Sequence, residues 1–158
     1  MSGKSLEETK SGFEVVALEP GDVDAVFCLD QACFSKEVAF PKDLFAFLIK
    51  SSDCLCVCIK DQGKLAAFLI AQAINLHKIQ LITIDVSPDY RRKQLAKKLL
   101  EFAHSFLGQR GFKRIVLEVA VNNQSAINLY RKMGYKYLRL KKKYYPDGAD
   151  AMQMEKVF

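Results

Sequence analysis

Three cations lie directly ahead of a predicted helix in the middle of the chain. Arg91, Arg92 and Lys93 follow a strand-like segment, residues 79–86, and precede apolar residues at helical spacing. The first turn of a helix has backbone N–H groups without intrahelical partners and carries a partial positive charge. This arrangement is typical of a loop that binds a pyrophosphate. The same pattern also occurs on cation-rich helix faces that only contact solvent.

The elements that must position this loop alternate between strand and helix patterns. Residues 114–119 form a β-branched, apolar segment that returns after a helix, which predicts a buried strand parallel to residues 79–86. The sequence therefore predicts an α/β (α+β) fold with a mixed, mostly antiparallel central sheet flanked by helices. The predicted strands are residues 13–18, 54–59, 65–74, 79–86, 114–119, 135–142 and 151–157, and the predicted helices are residues 20–34, 41 onward, 93–109 and 125–133.

The helix predicted over residues 93–109 has one apolar stripe, because its apolar side chains recur at spacings of three and four residues. A hairpin turn is predicted at residues 61–64, where the sequence is Asp-Gln-Gly-Lys. The residues of the stripe are Leu95, Leu99, Phe102, Ala103 and Phe106.

Composition limits the class of protein. The chain has 158 residues, of which 50% are hydrophobic, enough for one core but too few for two ordinary domains. We expect a flexible leader over residues 1–11 and a single domain over residues 12–158. No apolar run reaches the roughly 20 residues that span a bilayer. The net charge of +6 suits nucleic acid, the ribosome or an anionic cofactor.

The cysteines predict a reducing compartment, the cytoplasm, because their number is five, an odd count in a chain of ordinary size. Cys54, Cys56 and Cys58 alternate along one predicted strand and so share one face. The sequence places no further metal ligands beside them, so we expect buried small side chains and no metal. His77 and His104 are isolated, and we expect both to be structural or surface residues.

Three segments together resemble the GNAT superfamily. Residues 91–96, Arg-Arg-Lys-Gln-Leu-Ala after Ile-x-Val-x-Pro, resemble its acetyl-CoA loop, Gln/Arg-x-x-Gly-x-Gly/Ala. Gln94 departs from the pattern, since it stands where that loop has its first glycine; its side chain either weakens cofactor binding or points outward. Residues 117–135 resemble the second signature, which ends in Leu-Tyr-x-x-x-Gly-Tyr. Residues 144–154 resemble the closing strands of ribosomal-protein-alanine and archaeal-type N-terminal acetyltransferases.

The resemblance implies acetyl-CoA as a cosubstrate and direct attack of a neutral amine on its thioester, with no metal. The backbone N–H groups of Ile84 and Val86 would bind the cofactor and the oxyanion, and Asn123 would bind the pantetheine arm. Asn123 would serve equally as an ordinary helix cap. The cofactor-binding residues implied are Ile84, Val86, Arg91, Arg92, Lys93, Gln94, Leu95, Ala96, Asn123 and Tyr130.

Two residues match the catalytic positions of the resembled family. Glu118 matches the general base, which acts through a water, and Tyr130 matches the acid that protonates the departing thiolate. Each has a structural alternative. Glu118 could be only the polar end of a strand, and Tyr130 shares a helix face with Ile127 and Met133 that any core would bury.

The acceptor residues are also implied by the resemblance. Tyr144 and Tyr145 resemble a pair whose hydroxyls hold the acceptor's backbone, although they would also suit an amphipathic strand end. The loop at residues 33–41 corresponds to the segment that shapes the pocket for the first side chain. Phe34, Glu37 and Phe40 are the candidate residues there.

The function implied is transfer of an acetyl group to the N-terminal α-amine of a protein or peptide, with ribosomal proteins among the candidates. One alternative keeps the fold and changes the acceptor to a lysine, a polyamine or a small amine. Another is a catalytically weak module that binds acetyl-CoA or RNA, because Gln94 interrupts the loop. We expect no membrane partner, and nucleic acid only near the ribosome.

Overall fold

Seven strands form one sheet in residues 13–158, the part of the chain that the computed structural model describes. The leader predicted over residues 1–11 lies outside the described residues. The strand order across the sheet is β1-β2-β3-β4-β5-β7-β6. The strands are β1 (Val15–Ala17), β2 (Cys54–Asp61), β3 (Lys64–Ala73), β4 (Lys78–Val86), β5 (Arg114–Ala120), β6 (Lys136–Lys141) and β7 (Ala151–Val157).

Four α-helices connect these strands within the described residues. They are α1 (Val23–Cys33), α2 (Lys42–Lys50), α3 (Leu95–Gln109) and α4 (Gln124–Lys132). A short 3₁₀ turn at Pro20–Asp22 leads into α1, and another at Pro88–Tyr90 follows β4. Every predicted strand and helix is therefore present, with shifts of a few residues at the ends.

The sheet is mixed and mostly antiparallel, as predicted. Strands β4 and β5 run parallel, whereas the other neighbouring strands pair antiparallel. The β2–β3 hairpin turns where predicted, through Gln62 and Gly63, whose φ values are 49° and 81°. Two left-handed residues in succession are what a tight hairpin turn of this kind requires.

The two faces of the sheet are covered by different helices. On one face, α3 and α4 pack through Leu99, Leu107 and Ile127 against sheet residues such as Leu69 and Leu117. On the other face, α1 and α2 form a second core. Its buried members are Leu18, Val26, Leu29, Phe45, Leu48, Cys58, Phe68 and Ile70. Strands β2, β3 and β4 therefore carry apolar residues on both faces.

The predicted start of α3 was wrong by two residues. Gln94 has a φ of 60° and is left-handed, so it cannot belong to a right-handed helix, which begins at Leu95. The predicted apolar stripe is only partly buried. Phe102 is 37% exposed and stacks on Phe106 with ring centroids 5.9 Å apart. The buried residues of α3 are Leu95, Leu99, Leu100, Ala103 and Leu107.

The residues predicted to be structural have structural contacts. Cys54, Cys56 and Cys58 all contact the core beneath α1 and α2, so they share one face. His104 lies 2.8 Å from the hydroxyl of Tyr135, and His77 is exposed. Within residues 13–158, no helix combines the length and the apolar character needed to cross a bilayer.

Candidate active site

Strands β4 and β5 separate after a short paired stretch and leave a gap in the sheet. Residues 78–80 of β4 pair with residues 114–116 of β5. Beyond that point β4 remains paired with β3 as far as Val86, and β5 remains paired with β7 as far as Ala120. The sheet therefore opens towards the carboxyl ends of the two parallel strands.

Two backbone amides of β4 point into this gap. Ser87 donates its N–H to the carbonyl of Ala66 on β3 at 2.8 Å. Because N–H directions alternate along an antiparallel strand, the N–H groups of Ile84 and Val86 face away from β3. The gap thus has hydrogen-bond donors at the two positions predicted to contact the cofactor.

The cation-rich loop leads from β4 to α3 with an unusual backbone. Arg92 and Gln94 have φ values of 62° and 60°, and the side chains of residues 91–94 are exposed. A turn with left-handed residues, followed by the free N–H groups of a helix start, forms a concave site suited to an anion. The first intrahelical bond runs from the N–H of Lys98 to the carbonyl of Gln94 at 3.1 Å.

Gln94 adopts the conformation that glycine takes without strain. The side chain of Gln94 is exposed, and within residues 13–158 it makes no capping bond to α3. This favours the outward-pointing alternative for Gln94. The side chain of Leu95 is 2% exposed and belongs to the core, so only its backbone faces the loop. Ala96 is half-buried.

Glu118 is held by side chains from three other strands. Its Oε2 accepts a hydrogen bond from Gln80 at 2.8 Å. Its Oε1 accepts one from Gln153 at 3.0 Å and forms an ion pair with Lys141 at 2.7 Å. The Glu118 side chain is only 6% exposed, so these donors replace most of its hydration and fix its position.

The alternation of β5 explains why Glu118 faces these donors. Ile115, Leu117 and Val119 all join the core on the α3–α4 face, so Glu118 between them projects to the α1–α2 face. Gln153 lies directly opposite Glu118 in the β5–β7 register. Lys141 and Gln80 are site residues that the sequence analysis missed. Only the pairing register of the strands places these residues beside Glu118, and a single sequence does not show that register.

Tyr130 is buried in the core, the structural alternative, and its role as the acid stays a prediction. The residue is 7% exposed and its ring meets that of Tyr135 edge-on, with centroids 5.6 Å apart. Burial raises the pKa of the Tyr130 phenol well above its usual range, and Tyr145 and Asp85 add to the effect. The phenol is therefore protonated at neutral pH.

Tyr144 and Tyr145 lie beside Glu118 after β6. Their rings are perpendicular with centroids 4.9 Å apart, and Nζ of Lys141 lies 5.2 Å from the centroid of Tyr144. Burial raises the pKa of Tyr144, and the charge of Glu118 contributes. Burial, with the charges of Tyr144 and Glu118, raises the pKa of Tyr145 to about 12. The structure thus brings both tyrosines and Glu118 together.

The α1–α2 loop (residues 34–41) has a mixed environment. Phe34 is half-buried at the end of α1, and Glu37 is exposed. Phe40 meets Phe45 edge-on with centroids 6.0 Å apart and contacts the core beneath α1 and α2. The side chain of Phe40 therefore anchors the loop, while Phe34 is equally half-buried and Glu37 is exposed.

Asn123 acts as the helix cap that the sequence analysis gave as an alternative. Its Oδ1 accepts the N–H of Ala126 in the first turn of α4 at 3.3 Å. The expected bond from Asn123 to the pantetheine arm stays a prediction. Among residues 13–158, no group of three or more metal-ligating side chains is placed to hold a metal ion.

Comparison with known proteins connects this geometry to a reaction. Residues 23–135 match the Acetyltransferase (GNAT) family. The ribosomal protein bS18-alanine N-acetyltransferase of Escherichia coli K12 is 33% identical over 133 residues, 84% of this chain and 86% of that protein. Its E. coli crystal structure is similar with a TM-score of 0.84 and 32% identity, covering 92% of this chain and 93% of the other. An N-alpha-acetyltransferase of Saccharolobus solfataricus is 40% identical over 80 residues, 50% of this chain and 48% of that protein.

Proposed function

This chain belongs to the GNAT family of acetyltransferases, and from that premise we propose that it acetylates the α-amine at the N-terminus of a protein. The observation that carries the proposal is the position of Glu118. Three donors hold its carboxylate, and the tyrosine pair expected to bind a peptide lies beside it. The names of the relatives support an N-terminal amine as the acceptor.

Acetyl-CoA supplies the activated acetyl group as a cosubstrate, and the residues at the gap fit it. The N–H groups of Ile84 and Val86 offer donors to its pantetheine arm and to the thioester oxygen. The backbone of residues 93–97 and the side chains of Arg91, Arg92 and Lys93 would bind the pyrophosphate. Extra donors at the developing oxyanion stabilise the transition state more than the ground state.

Glu118 would remove the proton from the attacking amine, through a water. An α-amine has a pKa of about 8, so about a tenth of it is neutral at pH 7. The base therefore has only a modest task, and a carboxylate kept in place by Gln80, Gln153 and Lys141 suits it. The nitrogen would bond to the acetyl carbon to give a tetrahedral oxyanion, which would then break the carbon–sulfur bond and release the CoA thiolate.

Tyr130 would return a proton to the departing thiolate. Its role as the acid rests on the resemblance, since a raised pKa makes the phenol a weaker acid than an ordinary tyrosine. Tyr144 and Tyr145 would hold the backbone of the acceptor through their hydroxyl groups. Phe34, Glu37 and Phe40, in the α1–α2 loop, would contact its first side chain.

A ribosomal protein is the acceptor that the relatives suggest, and the cytoplasm is the compartment that fits it. All five cysteines are free thiols, which suits a reducing environment.

The test is CoA release followed by mass spectrometry on a peptide library that varies the first two residues. Each peptide carries an internal lysine and is also offered with a blocked N-terminus. We expect acetylation of free N-termini only. Acetylated lysines would change the acceptor class, and acetyl-CoA binding without any product would favour a binding module instead.

A further inference from the structure

Two aspartates are buried side by side between α1 and β4. Asp30 is 0% exposed and Asp85 is 1% exposed. Asp30 Oδ2 accepts the N–H of Phe40 at 2.8 Å, and Asp85 Oδ1 accepts the hydroxyl of Thr83 at 2.6 Å. The other two oxygens, Asp30 Oδ1 and Asp85 Oδ2, have no hydrogen-bond partner within residues 13–158.

A β-bulge turns Asp85 towards α1. The β3–β4 register pairs Ile70 with Thr83 but Ala71 with Leu81, which leaves Ile82 as an extra residue in β4. An extra residue exchanges the faces of all the side chains that follow it. Asp85 therefore lies opposite Phe68, on the face of the sheet that α1 and α2 cover, instead of in the core beneath α3.

Two buried carboxylates this close cannot both be ionised. A single proton between Asp30 and Asp85 would give each bare oxygen a partner and leave one negative charge instead of two. The pKa of Asp85 is accordingly raised, first by burial and then by hydrogen bonding to Asp30 and its charge.

Other titratable groups also face this pair. Burial and the charge of Asp85 raise the pKa of the Cys33 thiol on α1, while Arg91, which contacts Cys33, lowers it. Tyr130 on α4 is the third such group, because the charge of Asp85 helps to raise its pKa. Cys33 and Tyr130 are therefore neutral near pH 7, and Arg91 is a cation that reaches the pair's neighbour Cys33.

The pair connects the acceptor side of the site to the cofactor side. Asp85 lies between Ile84 and Val86, whose N–H groups face the gap, and Asp30 holds Phe40 near the end of the α1–α2 loop. A second contact also joins α1 to β4, because Cys33 Sγ donates a hydrogen bond to the carbonyl of Val86 at 3.5 Å. Movement of either aspartate would shift the loop relative to β4.

We propose that Asp30 and Asp85 share one proton, and that the resulting hydrogen bond positions the α1–α2 loop against β4. The two aspartates are then positioning residues. Their effect on acceptor binding rests on the proposed function, whereas the shared proton and the held loop do not.

The first test compares thermal unfolding from pH 5 to pH 10. The folded pair keeps a proton that an unfolded carboxyl loses at about pH 4, so the pair's contribution to stability decreases as the pH rises. In Asp85→Asn the amide donates a hydrogen bond to Asp30 and does not titrate. We therefore expect the melting temperature of this variant to depend less on pH, and to exceed that of the wild type at alkaline pH. Asp43→Asn, an exposed aspartate on α2, should retain the wild-type slope. Parallel curves for Asp85→Asn and the wild type would overturn the shared proton.

The second test removes the proposed hydrogen bond between Asp30 and Asp85. In Asp85→Ala we expect hydrogen exchange of residues 34–40 to become about tenfold faster at pH 7, the effect of losing one buried hydrogen bond, while Asp85→Asn retains protection. Unchanged exchange in Asp85→Ala would overturn the positioning role. If Asp85→Ala does not fold, the same comparison is made on the wild type at pH 7 and pH 10, corrected for the intrinsic exchange rate.

A third measurement connects the loop to the reaction. With an acetylated peptide from the library, Asp85→Ala should raise KM for the acceptor severalfold with a smaller change in kcat, and a change confined to kcat would contradict this. Failure of all peptides to react would count against the proposed function alone, because the unfolding and exchange results do not depend on turnover.

Discussion

The ammonium group of Lys141 on β6 lies 2.7 Å from Oε1 of Glu118 on β5, across the intervening strand β7. The ion pair connects the edge of the sheet to the strand that borders the gap. The Lys141 side chain is 28% exposed and that of Glu118 is 6% exposed, so solvent screens the pair less than it would a surface pair. Stability and catalysis should therefore both depend on it.

Replacing Lys141 by Met should lower the free energy of unfolding by about 1–3 kcal/mol, because a nearly buried carboxylate loses a charged donor. The measurement is urea unfolding at pH 7. Lys97→Met is the control, because Lys97 pairs with Glu101 at 3.9 Å on the exposed face of α3. This replacement should lower the free energy of unfolding by less than about 0.5 kcal/mol. Equal losses in the two variants would show that Lys141 behaves as a surface residue.

Replacing Glu118 by Gln should lower kcat by about 100-fold or more, the usual contribution of a general base. The affinity for acetyl-CoA should change little, because the carboxylate faces the acceptor side. CoA release and isothermal titration with acetyl-CoA measure the two effects. Glu155→Gln is the matched control, a β7 glutamate that pairs with Arg114. Turnover unchanged in Glu118→Gln would remove Glu118 from the base role.

The order of strands and helices could be predicted because it depends on local patterns. Period-two and period-3.6 apolar spacing, with breaks at Gly63, Gly111 and Gly134, determines where elements begin and end. The start of α3 was predicted too early, at Lys93, because the backbone of Gln94 is left-handed. The residue type of Gln94 does not show this conformation. The spacing places Phe102 in the apolar stripe of α3, but it does not show that this position lies at the edge of the buried face.

The partners of the candidate catalytic residues could not be predicted in the same way. Gln80, Lys141 and Gln153 come from three strands, and they meet at Glu118 only through the pairing register. Asp85 faces α1 only because of the bulge at Ile82. A single sequence constrains neither register nor bulges, whereas the resemblance to a family supplied Glu118 and Tyr130 directly.

Replacing Gln94 by Gly should raise the free energy of unfolding by up to about 1 kcal/mol, because glycine adopts a φ of 60° without strain. Gln94→Val should destabilise the protein, since a β-branched side chain is poorly tolerated there. Thermal unfolding measures both changes. With the Gln94 side chain exposed, acetyl-CoA affinity in Gln94→Gly should stay near that of the wild type. A large gain in affinity would instead show that this side chain obstructs the cofactor.

Replacing Tyr130 by Phe should lower kcat by about 10- to 100-fold while the protein stays folded, because only the proton donor is lost. The control is Tyr135→Phe. Tyr135 is also buried, and its hydroxyl bonds His104 at 2.8 Å, so its loss should lower stability by about 1 kcal/mol and leave kcat nearly unchanged. CoA release and urea unfolding on both variants distinguish a proton donor from a core tyrosine. Equal kcat values in the two variants would contradict the assignment.

His104 should make the protein less stable in acid. Burial and the charge of Lys156 lower the pKa of His104 to about 4, whereas an unfolded histidine has a pKa of about 6.5. Between these values the unfolded state binds more protons, so this contribution to stability is complete above about pH 6.5 and is lost as the pH falls towards 4. In His104→Gln the contribution is absent.

The measurement for His104 is urea unfolding from pH 4 to pH 7.5 on the wild type and His104→Gln. Carboxylates titrate in both proteins, so the informative quantity is the difference between their free energies of unfolding, which should shift by about 1–3 kcal/mol in favour of the variant as the pH falls. His77→Gln is the control, because His77 is exposed and should follow the wild type. A difference that is independent of pH would mean that His104 has the same pKa in the folded and the unfolded protein.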